Sequence, residues 1–107
     1  MSNPETVIQN QILLALGAMP GVRVWRNQVG LFYTADGRPI RVGVVGAADI
    51  SGLLAPHGRR LEIEVKTPTG RQRPEQRKYQ AMIESLGGLY IVARCVEDAL
   101  SPILETA

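Results

Sequence analysis

Gly46-Ala47-Ala48-Asp49-Ile50-Ser51-Gly52-Leu53-Leu54-Ala55, the turn Pro56-His57-Gly58, then Leu61-Glu62-Ile63-Glu64-Val65-Lys66: this stretch decides how the 107-residue chain folds. Two apolar segments flank a turn, which is the pattern of a β-hairpin. Side chains alternate along a strand, so Glu62, Glu64 and Lys66 share one face while Leu61, Ile63 and Val65 share the other. A hairpin centred near His57 sets Asp49 opposite Val65 and diagonal to Glu64 and Lys66. Two carboxylates and one ammonium then converge at about the inter-strand spacing. A one-residue slip would change that register.

Working outward, Asn3-Pro4-Glu5 reads as a helix start, with Asn3 as N-cap, Pro4 in the first turn and Glu5 against the positive end of the dipole. Ile8, Ile12, Ala15 and Leu16 form one apolar stripe over Pro4–Leu16, and Gly17 and Pro20 close it. Val22–Arg26 alternates as a strand, with Val22, Val24 and Arg26 on one side. Leu31-Phe32-Tyr33 and Ile40-Arg41-Val42 flank Ala35-Asp36-Gly37-Arg38, a hairpin turn. Pro68 stops the Leu61–Lys66 strand. Pro74 opens a second helix to about Leu86, with Tyr79, Met82, Ile83 and Leu86 inward, and Gly87-Gly88 ends it. Leu89–Ala93 reads as an internal strand reached by a helical crossover, and Val96–Leu104 as a terminal helix. Trp25 and Tyr90 read as core aromatics, His57 as a turn residue and Cys95 as a small, at least half-buried side chain.

Two neighbouring carboxylates repel unless a proton or a cation relieves them. A hard ion such as Mg2+ takes carboxylate and carbonyl oxygens, and the Val65 carbonyl stands between Glu64 and Lys66 to offer a further one. Such an ion acidifies its bound water and offsets charge on a phosphate oxygen, while Lys66 would orient that water or stabilise the developing charge. The Glu-x-Lys pattern alone also fits a solvated face laced with weak ion pairs. Glu62 is expected to face solvent or to play a supporting part.

Asp49, fourteen intervening residues and Glu64-Val65-Lys66 resemble the PD-(D/E)xK nuclease signature. The chain more closely resembles VRR-Nuc domains, the virus-type replication-repair nucleases. Their pattern is a Glu on an N-terminal helix, Arg-Asn followed by Gly, Gly-x-x-Asp, Glu-x-Lys and a later Gln. Here these are Glu5, Trp25-Arg26-Asn27 with Gly30, Gly46-x-x-Asp49, Glu64-Val65-Lys66 and Gln76, in order over Glu5 to about Arg94. Ala48 departs from the Pro that many relatives carry before the Asp, which shapes the backbone and is not a ligand.

The resemblance implies an α/β, restriction-endonuclease-like PD-(D/E)xK core: a mixed β-sheet flanked by α-helices, roughly αβββαβ with an extra hairpin, in one domain over 1–107. It implies Mg2+ (or Mn2+) on Asp49, Glu64 and the Val65 carbonyl, with Glu5 approaching the same metal, Lys66 catalytic and Gln76 in reach of the site. For Glu5, dipole compensation is a sufficient alternative, and for Gln76 a surface amide. Stand-alone VRR-Nuc domains of phage and bacterial origin look like Holliday junction resolvases, so a homodimeric endonuclease acting on branched DNA in DNA repair is expected.

Ten of the twelve basic residues are Arg, and the charge is unevenly spread. Arg23 to Lys78 holds eleven basic and five acidic residues, an excess of six, whereas Tyr79 onward carries an acidic excess of three. A basic middle fits a polyanion-facing side or, less specifically, a solvated surface. The DNA-binding candidates are Arg26, Asn27, Arg38, Arg41, Arg71, Arg73, Arg77 and Lys78. No base-reading motif is present, so structure-selective recognition is expected. A non-catalytic DNA-binding module and a general repair or restriction-like nuclease on duplex or flap DNA remain as alternatives. One Cys and one His exclude a disulfide scaffold or a zinc cluster built from this chain. No apolar run spans a bilayer, and Met1-Ser2-Asn3-Pro4-Glu5 is unlike a signal peptide, so a cytoplasmic protein without membrane or small-molecule cofactor is expected.

Overall fold

The computed structural model describes residues 3–106, so Met1 and Ser2 of the stretch expected to be unlike a signal peptide lie outside the described residues. The elements are α1 (Pro4–Gly17), β1 (Val22–Arg26), β2 (Gly30–Tyr33), β3 (Pro39–Val42), β4 (Ile50–Leu54), β5 (Arg59–Val65), α2 (Pro74–Ser85), β6 (Leu89–Ala93) and α3 (Val96–Glu105). Asn3 caps α1 as expected, its side chain accepting the Glu5 N–H at 2.9 Å. No helix among the described residues is long and apolar enough to cross a membrane.

β1, β4, β5 and β6 form one sheet in that order, and β2 and β3 form a separate ribbon. β1–β4 and β4–β5 are antiparallel, and β5–β6 is parallel through the α2 crossover. The alternation read from β5 decides which face is dry. Leu61, Ile63 and Val65 join Ile50 and Leu54 of β4, Ile91 and Ala93 of β6, Ile12 and Leu16 of α1, and Ala99 and Ile103 of α3. The opposite face is covered by α2 through a smaller cluster of Ala48, Tyr79, Ile83 and Tyr90. The rest of that face is polar, with Ser51, Glu62, Glu64 and Lys66 all buried on it.

Four expectations change and one narrows. Ile50 pairs with Ile63, so the β4–β5 register is one residue from that predicted, and Asp49 lies level with Glu64 rather than Val65. β6 is an edge strand, not an internal one; it is apolar because α3 and α2 cover its two faces. Met82 and Leu86 are exposed, and α2 is held by Gln76, Tyr79 and Ile83 instead. Trp25 is 39% exposed. Its pairing with Ser51 places it on the polar face, where its ring carries the Arg60 guanidinium 5.9 Å from its centroid. Glu62 is fully buried, which removes the solvent-facing alternative and leaves the supporting one.

Candidate active site

A cleft of about 480 Å³ opens on the polar face, and the predicted residues Glu5, Asp49, Glu64, Lys66, Arg71, Arg73 and Gln76 all line it. They reach it from α1, the loop before β4, the end of β5, the segment after β5 and the start of α2. Asp49 ends the loop that leads into β4. Its carbonyl accepts the Asn27 N–H at 2.8 Å on the β1 side, while its Oδ2 accepts the Val65 N–H at 2.8 Å on the β5 side. A side-chain oxygen thus extends the β4–β5 ladder one step and fixes where this carboxylate sits. The Val65 side chain is buried in the apolar core.

Glu64 and Lys66 follow from the alternation of β5. Lys66 Nζ lies 3.9 Å from Glu64 Oε1, and Gln76 Nε2 donates to the same oxygen at 3.3 Å. Gln76 is oriented by its own helix start: its Oε1 accepts the Arg73 N–H at 2.8 Å, half of a capping box, which leaves the NH2 to face the carboxylate. Glu64 Oε2 is buried with no hydrogen-bond partner. Burial, first, and then the Asp49 carboxylate push the Glu64 carboxyl up to about 8, with Glu5 adding to this and Lys66 opposing it. Glu62, two residues earlier on the same face, has both oxygens occupied by Ser51, Arg60 and Tyr79. The orphaned Oε2 distinguishes Glu64 from Glu62 as the buried carboxylate with an unmet acceptor.

These residues fit a hard divalent cation. Two adjacent carboxylates, one raised in pKa and carrying a buried free oxygen, are the donor set that such an ion would relieve. Among the described residues no three His, Cys, Asp or Glu side chains stand together as a metal-binding group. Glu5 lines the cleft without forming a third member of such a group, so a cation here would draw on Asp49, Glu64, main-chain oxygen and water.

The remaining candidates divide by location. Arg71 and Arg73 form a cleft wall on the segment after β5. The start of that segment is tied down by Arg94, whose guanidinium donates to the Thr67 and Gly70 carbonyls. Arg77 and Lys78 are exposed on α2 but do not line the cleft. Arg26 reaches across to α1, donating to Gln9 and Asn10. Asn27 turns inward to the Ala48 carbonyl and Ser51. Arg38 stands at the tip of the β2–β3 ribbon beside Asp36, and Arg41 is exposed on β3. Sequence reasoning missed Arg94, Ser51 and the buried role of Glu62. Ser51 had a readable signal, being the polar residue at an inward position of β4; Arg94 had none.

No protein-family model matches the chain, and no curated protein matches it. A solved structure described as a VRR_NUC domain does resemble it, with a TM-score of 0.66, 20% sequence identity and 97% of each chain covered. At that identity the likeness establishes the fold, and the expected mixed sheet with flanking helices is the one observed.

Proposed function

We propose that this chain is a divalent-metal-dependent endonuclease that hydrolyses phosphodiester bonds in DNA, with branched DNA such as a four-way junction as its substrate. One observation carries the reading: Asp49 and Glu64 meet in a cleft where Glu64 keeps a buried, unpartnered oxygen and Lys66, Arg71 and Arg73 supply positive charge. The fold shared with a VRR_NUC domain supports it.

Bound Mg2+ or Mn2+ would supply an acidified water and charge neutralisation on the phosphate. Asp49, Glu64 and the Val65 carbonyl would hold it. Arg71 and Arg73 seat the phosphates flanking the scissile one, as bidentate donors do. Lys66, lining the cleft beside Glu64, orients the attacking water and stabilises charge that develops on the phosphate. Gln76 keeps Glu64 aimed. Paired cuts across a junction need two such sites, which a C2 homodimer provides.

Incubating labelled four-way junction and linear duplex with Mg2+, Mn2+ or EDTA tests this. Cutting should require metal and fall at least about a hundredfold in Asp49→Ala, Glu64→Ala and Lys66→Ala. Binding without cutting in every metal would leave a DNA-binding module. Equal cutting of duplex would point to a general nuclease, and a monomer in sedimentation with and without junction would remove the paired-cut idea.

A further inference from the structure

Glu62 is fully buried beside the cleft yet takes no place in it. Its Oε2 accepts the Ser51 hydroxyl at 2.7 Å, and its Oε1 accepts Arg60 Nε at 2.7 Å and the Tyr79 hydroxyl at 2.9 Å. Burying a carboxylate is costly unless it is paired and hydrogen-bonded, and these three donors meet that need. The arrangement does more than hide a charge, because it leads towards Asp49. Once its proton is committed to Glu62, the Ser51 hydroxyl can only accept, and it accepts from Asn27 Nδ2. The same NH2 donates to the Ala48 carbonyl at 3.0 Å, and the Asn27 main-chain N–H donates to the Asp49 carbonyl at 2.8 Å. Asn27 therefore grips the peptide before Asp49 and the peptide after it. Both of its amide protons are thus committed within the protein, to the Ala48 carbonyl and the Ser51 hydroxyl.

We infer that Asn27, Ser51 and Glu62 form a positioning relay that sets the Asp49 carboxylate, with Asn27 acting on the main chain and Glu62 anchoring it from β5 through Ser51. The inference rests on the nuclease reading for its consequence, though its geometry is independent of that reading. Fully buried and outside the cleft lining, Glu62 is not placed to be a ligand. Its part is to orient a serine that orients an asparagine, and the asparagine holds the loop whose carboxylate reaches Val65.

The Val65 amide reports on this directly, since its proton is donated to Asp49 Oδ2. Hydrogen exchange in the metal-free protein should show the Val65 amide exchanging about tenfold faster in Asn27→Ala and in Ser51→Ala. The Lys66 amide, bonded to the Ala93 carbonyl, should keep its rate. Mn2+ binding to the free protein should weaken about 10- to 100-fold in both variants, as when the partners of a ligand are removed. DNA affinity in EDTA should stay within about twofold of wild type, and the loss in cutting should appear in kcat with KM retained. An unchanged Val65 amide in either variant, folded by circular dichroism, would overturn the relay. So would a loss of DNA affinity in Asn27→Ala with Mn2+ affinity intact, which would make Asn27 a DNA contact. If wild type neither binds Mn2+ nor cuts DNA while the Val65 amide responds as stated, the relay stands and the nuclease reading fails.

Discussion

Glu64 carries a buried oxygen that receives no hydrogen bond, beside a second carboxylate. Its carboxyl ordinarily titrates near 4.5, and in the fold burial and Asp49 move it up to about 8. A carboxyl raised on folding contributes stability that is fully present below the unfolded value and is lost as pH rises through the folded one. Without divalent metal, the melting temperature should therefore fall between pH 5 and pH 9. Glu64→Gln, which cannot ionise, should flatten that fall, and Mg2+ should restore the wild type at pH 8 to 9 by relieving the pair. Melts in EDTA across this range check it. An equally steep fall in Glu64→Gln would place the titrating group elsewhere.

Gly46 shows how one element constrains another. Its φ of +82° is in the left-handed region, and a Cβ there would lie 2.3 Å from the Glu75 carbonyl oxygen, in the first turn of α2. The loop carrying Asp49 can approach the helix carrying Gln76 only because no side chain intervenes. Gly37, at the ribbon tip, has a φ of +86° but nothing within 4 Å of that position. Gly46→Ala should thus cost more than the roughly 1–3 kcal/mol of left-handed strain that Gly37→Ala alone incurs, which paired urea titrations would measure. Similar losses would refute the close approach. The ribbon itself packs on little: Leu31, Phe32, Tyr33 and Ile40 are about half exposed or more. An isolated two-stranded ribbon is marginal in water, so its amides should exchange well before those of β4 and β5. Most elements were readable because each is local: caps, alternation and turn residues set α1, β1, β5 and the start of α2. Contacts across the chain were less legible. The β4–β5 register depends on how Asp49 meets the Val65 N–H, and the hydrophobicity of β6 reports covered faces rather than strand neighbours. Met82 and Leu86 fit the helical spacing, but α2 rests on a polar face where Gln76 and Tyr79 do the packing. Asp49, Glu64 and Lys66 were found together because strand alternation and hairpin pairing place them, whereas Gln76 was found through the resemblance to VRR-Nuc domains; Asn27's inward turn was hidden by a motif that also suits a DNA contact.

Over the whole molecule, a net charge of +2 conceals a concentrated basic face. Lys66, Arg71, Arg73, Arg77 and Lys78 fall within thirteen residues that contain one acidic residue, Glu75. The first three line the cleft, whereas Arg38 and Arg41 stand on the ribbon. The molecule measures 48 × 35 × 25 Å, with a radius of gyration of 14.5 Å against roughly 13 Å for a compact chain of this length. Two footprints follow, one confined to the cleft and one continuing along the arm, and salt separates them. Each phosphate neutralised contributes about −0.9 to the slope of log affinity against log salt on duplex DNA. The change Arg71→Ala with Arg73→Ala should make that slope shallower by about 1.8, less whatever the exposed Arg73–Glu75 pair at 3.2 Å already offsets. Arg38→Ala with Arg41→Ala should do the same only if the arm lies on DNA while the cleft is engaged. Binding isotherms in EDTA at several salt concentrations read both pairs at once. A reduced slope for the cleft pair alone confines the DNA to the cleft, a reduction for both extends it along the ribbon, and no change for the cleft pair would remove Arg71 and Arg73 from the phosphate path.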